Sequence, residues 1–161
     1  MSGDLPEFDI PHSEKIEWMI ETHGWALEPV AARHDTSPPV PTYSYTLGFP
    51  TTFQMSDVVI VGLTPIAARG LLDMIAEIAR SGTEIPPDVA LTGVLDNDLR
   101  CMFVVVDQER WGHLFATAAS WYPGGVFSML QMLWPDRNGS LPNESNFEQR
   151  LHFAQPVLGV L

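Results

Sequence analysis

The sequence has almost no cysteine, few cations and no long apolar run, and each shortage excludes a class of function. One cysteine in 161 residues, Cys101, permits no disulfide within the chain and no thiolate metal framework. Eight Lys and Arg stand against 20 Asp and Glu, a net charge of −12, and the cations are scattered from Lys15 to Arg150. A surface that tracks phosphates needs clustered Lys and Arg, so neither nucleic acid nor an anionic membrane is expected as a partner. No apolar stretch approaches the ~20 residues needed to cross a bilayer. The opening MSGDLPEFDIPH has no cationic start and no apolar segment, so it reads as no signal peptide and the expectation is a cytoplasmic protein.

Motifs are missing too. The histidines at 12, 23, 34, 113 and 152 never stand two, three or four residues apart, so the usual chelating pairs are absent and no metal site is expected. One helix carrying both His12 and His23 would hold them ~16 Å apart, too far for one ion. There is no Gly-x-Gly-x-x-Gly, no phosphate loop ending in Lys-Ser/Thr and no Gly-x-Ser-x-Gly elbow, so no cofactor is expected. Cys101 lies within LRCMFVVV, where a buried, inert thiol is the ordinary outcome.

What remains is a globular composition, 45% hydrophobic and 17% charged, in a chain long enough to bury a core unaided. Six of the acids fall in the first 21 residues. The reading is a flexible acidic arm over 1–12 and a single α+β domain over 13–161.

Pro11 and Ser13 open a helix whose apolar face is Ile16, Met19, Ile20 and His23, and Gly24 suits its C-terminal cap. WALEPV (25–30) reads as a strand, and TYSYTLGF (42–49) alternates like a half-buried one, with Tyr43, Tyr45, Leu47 and Phe49 inward. DVVIVGL (57–63) is apolar on both faces and belongs in the middle of a sheet. Thr64-Pro65 starts the clearest helix, ended by Gly82. VALTGVL (89–95) and LRCMFVVV (99–106) read as a hairpin about Asp-Asn-Asp, 109–121 as a second packing helix and VFSMLQMLW (126–134) as a strand. The tail 151–161 reads as an edge strand or a docked segment, and as a homodimer seam if exposed. The expected architecture is a mostly antiparallel sheet of about five or six strands, with two or three helices packed on one face.

Four segments occur in a characteristic order: HGW (23–25), YSYTLGF (43–49), VGL (61–63) and LQMLWPDRNGSLP (130–142). Together they make the chain resemble the bacterial family known as domain of unknown function 4262, over about residues 13 to 149. The resemblance implies a compact bacterial domain and no particular activity. It draws attention to the polar and aromatic residues of those segments. His23 and Asp136 are the candidate catalytic pair; Tyr45, Thr46, Gln131 and Trp134 are the candidate ligand contacts. Each has an ordinary structural use. His23 can answer helix-end carbonyls, Asp136 after Pro135 can hold a turn, and a buried Gln131 can pin a loop.

Plentiful aromatics and no complete catalytic set favour a small-molecule- or protein-binding module. The alternative is an acid–base, hydrolase-like enzyme with His23 as base and Asp136 orienting it, which requires the two to converge.

Overall fold

A computed structural model describes residues 11–159. Its elements run α1 (His12–His23), β1 (Ala26–Val30), β2 (Tyr43–Leu47), α2 (Phe49–Phe53), β3 (Asp57–Val61), α3 (Pro65–Arg80), β4 (Met102–Val105), α4 (Gln108–Trp111), α5 (Ala116–Trp121), β5 (Met129–Leu133) and α6 (Leu151–Ala154). The five strands form one sheet in the order β1-β2-β3-β5-β4. The β3–β5 pair is parallel and the rest are antiparallel, so the class is α+β with a mixed, mostly antiparallel sheet. Ten residues of the expected acidic arm lie outside the described residues; His12 already belongs to α1.

β3 is central, and its two faces feed two cores. Val58 and Ile60 pack with Ala68, Leu72 and Ile75 of α3. Val59 and Val61 pack on the other side with Tyr43, Tyr45, Ile16 of α1 and Phe115. Strand side chains alternate, so DVVIV supplies both layers at once. Fully burying a Leu72 or Ile75 side chain contributes about 2 kcal/mol.

Helices therefore cover both faces, not one. For the same reason β2 is buried throughout, not half-buried: Ser44 and Thr46, the polar phase of its alternation, are sealed on the α3 side. The Ser44 hydroxyl finds no hydrogen-bond partner among the described residues. A buried unpaired hydroxyl costs stability, so Ser44→Ala is expected to raise unfolding free energy by about 1 kcal/mol in urea titrations, and a loss would contradict this account.

Two other expectations are corrected. The hairpin over 89–106 shrinks to the bridge Leu91↔Cys101, because the backbone turns left-handed at Gly93 and cannot stay extended; Asn97 and Asp98 do form its turn. The helix over 109–121 is broken into α4, a 3-10 turn over Gly112–Leu114 and α5. The Tyr43 hydroxyl donates to the Leu114 carbonyl at 2.6 Å, giving that acceptor a tertiary partner at the break.

The tail adds α6 and then docks: Asp107 N–H donates to Leu158 O at 2.9 Å, and Gly159 bridges to Val106. Residues 156–159 are partly or fully buried, and 160–161 lie outside the described residues.

Candidate functional site

The register of β1 on β2 sets Glu28 opposite Tyr45. Opposed residues of an antiparallel pair share a face, so a carboxylate lands on the side that carries Tyr43, Tyr45 and Val61. These four residues form part of the wall of a cleft of about 990 Å³. The Pro-rich loop between β1 and β2, the segment from Arg110 to Leu114, the start of α5 and the tail complete it.

Glu28 is only 8% exposed. His12 Nε2 lies 2.9 Å and 3.1 Å from its two oxygens, and the Thr117 hydroxyl donates to Oε2. Burial pushes the Tyr43 hydroxyl up to about 12 and raises Tyr45 as well, so both stay protonated near neutrality. Tyr45 has its hydroxyl beside Thr117 at the start of α5. A smaller hollow of about 310 Å³, lined by His12, Ser13, Ser120 and Trp121, lies across Ala116 and Thr117.

Of the six candidates drawn from the sequence, Tyr45 alone lines the large cleft. His23 is exposed at the end of α1, edge-on to Trp18 with ring centroids 6.1 Å apart. Asp136 is 4% exposed. Its Oδ1 accepts from the N–H of Asn138 and of Ser140, and Oδ2 from that of Glu148, all at 2.9 Å. Burial pushes its carboxyl up, but these backbone donors together outweigh burial and hold it below the ordinary range. Among the described residues no hydrogen bond joins His23 to Asp136. The Asp136 loop is braced by Arg100, which clamps Glu144 at 2.7 and 2.8 Å and donates to Gly139 O.

Gln131 is fully buried and bonds the tail: its Nε2 donates to Pro156 O at 2.8 Å, and its Oε1 accepts from Leu158 N–H at 2.6 Å. Gln155 answers from the tail. Its side-chain amide accepts from Trp134 N–H at 2.8 Å and donates to Trp134 O at 2.9 Å. Trp134 in turn donates its indole N–H to Val61 O at 2.8 Å. Two amides thus seat Pro156 and Leu158, which are cleft wall.

Thr46 serves a second buried network, at the start of β3. Its hydroxyl donates to Asp57 Oδ1 at 2.8 Å and accepts from Val58 N–H at 3.0 Å. Phe49 N–H donates to the same Oδ1 at 3.1 Å, and the Tyr122 hydroxyl donates to Oδ2. Tyr122 also accepts from Gly48 N–H at 2.9 Å. Burial pushes Asp57 up to about 6 despite these donors.

Glu28, His12, Thr117 and Asp57 were missed from sequence. Glu28 carried a signal: in ALEPV it occupies the phase shared by Ala26 and Val30. Asp57 heads an apolar strand and carried none. No group of three or more His, Cys, Asp and Glu among the described residues is placed to hold a metal ion, and no helix there is long and apolar enough to cross a membrane.

No curated protein and no solved structure matches the chain. The model of one family does match, over residues 19–148, a span that takes in β1 to β5, Glu28, the two tyrosines and the braced Asp136 loop. The chain belongs to the family described as domain of unknown function DUF4262.

Proposed function

We propose that this protein is a binding module for an amphipathic small molecule and that the cleft above the β1–β2 register is its site. The observation that carries this is the cleft itself. Its volume of about 990 Å³ sits at the upper end of ligand pockets, and its walls are largely aromatic and aliphatic with a few placed polar groups. The acid–base alternative rests on His23 and Asp136, and neither lines this space. A cytoplasmic, bacterial setting goes with the reading, and the net charge of −12 argues against a nucleic-acid partner.

Ala116 is exposed, opens α5 and lines the cleft, so Ala116→Trp places bulk at its wall from outside the core. A thermal-shift screen against amphipathic metabolites should find a ligand that, at a hundredfold excess over Kd, raises Tm by about 5–10 °C. The shift should vanish in Ala116→Trp; a shift that survives there counts against the cleft.

A protein partner is the second reading, favoured by Phe153, which lines the cleft and is 86% exposed. A stoichiometric basic partner in a pull-down, lost on Phe153→Ser, would support it.

A further inference from the structure

We infer that the ligand is an organic anion, an apolar body carrying one carboxylate, sulfonate or phosphate; this rests on the cleft being the binding site. The protein as a whole repels anions, with 20 acids against eight Lys and Arg. The cleft inverts that balance. Among the described residues its lining holds one acid, Glu28, against two arginines, Arg33 and Arg110, with the rings of His113 and His152 as further hydrogen-bonding groups. Glu28 is also spoken for: its oxygens face His12 and the Thr117 hydroxyl.

The two arginines and His113 are exposed, where a ligand can reach them. Arg110 lies over the Trp111 ring at 5.0 Å, and His113 stacks on the same ring at 6.4 Å with the planes 25° apart. This stack offers guanidinium and imidazole N–H donors beside an aromatic face. Arg33 is paired with Asp35, but both side chains are well exposed, so the pair contributes little and can be exchanged for a ligand's acidic group. The apolar body would lie along Tyr43, Leu114 and Leu158.

Two fluorescent probes of similar shape separate the ideas: anilinonaphthalene sulfonate, an anion, and phenylnaphthylamine, its neutral counterpart. With the full chain, the sulfonate should bind about tenfold tighter, the gain expected of charge-assisted hydrogen bonds to arginine. Arg33→Gln with Arg110→Gln should erase that preference, weakening the sulfonate about tenfold more than the neutral probe, while Ala116→Trp should suppress both. Equal binding of the two probes, or a preference that survives the double substitution, overturns the anion assignment and leaves the cleft as a site. Binding of both probes that ignores Ala116→Trp, or no binding of either, overturns the cleft reading and this inference with it.

Discussion

Asp57→Asn is expected to remove a pH dependence of stability worth about 3 kcal/mol between pH 4 and pH 7, from a carboxyl raised from the ordinary 3.8 to about 6. The folded state binds the proton more tightly than the unfolded chain does. Its contribution is therefore fully present below pH 4 and is lost as pH rises through 6. Asparagine cannot ionise, yet its carbonyl can still accept from Thr46 and Phe49 N–H. Urea denaturation of both proteins at several pH values isolates the effect, because the other carboxylates cancel in the difference. A difference curve flat from pH 4 to pH 7 would show that burial does not govern this carboxyl. Tyr122→Phe removes a donor to the carboxylate and should push the same step to higher pH.

The second large effect is at Gly62. It has φ +94°, and a Cβ there would meet Ala154 O at 2.3 Å and the Trp134 ring at 3.2 Å. Gly62→Ala thus combines left-handed strain with a backbone clash, about 2–5 kcal/mol together. Gly82 is the control: its φ is +87°, with nothing within 4 Å of its Cβ position. Gly82→Ala should lose only the strain, about 1–2 kcal/mol. Stability by denaturant gives the difference, and hydrogen exchange should place it: in Gly62→Ala, residues 151–159 exchange faster, since the clash is with α6. Equal losses at the two glycines would mean that the tail yields freely.

The strands and α3 were legible because their signals are local. DVVIV has only one sensible place, and Thr64-Pro65 with an apolar stripe has only one sensible start. The parallel pairing of β3 with β5 was not legible, since no local pattern distinguishes it from a hairpin neighbour. The candidate site was hidden for a related reason. Polar residues in apolar runs stand out in the sequence, and three of them, Thr46, Gln131 and Asp136, hold main chain or a buried acid in place. Glu28 became notable only when register set it against Tyr45, a matter of which strands pair.

The strand order has a consequence for assembly on the way to the native state. β4 precedes β5 in the chain, yet β5 lies between it and β3. Until β5 arrives, β4 has no neighbour in the sheet and the Val-Val-Ile-Val edge of β3 stands open. Such an edge templates pairing between chains. Pairing of Met-Leu-Gln-Met-Leu with both strands closes that edge, and its long sequence separation from β3 makes it a contact of the kind that forms slowly.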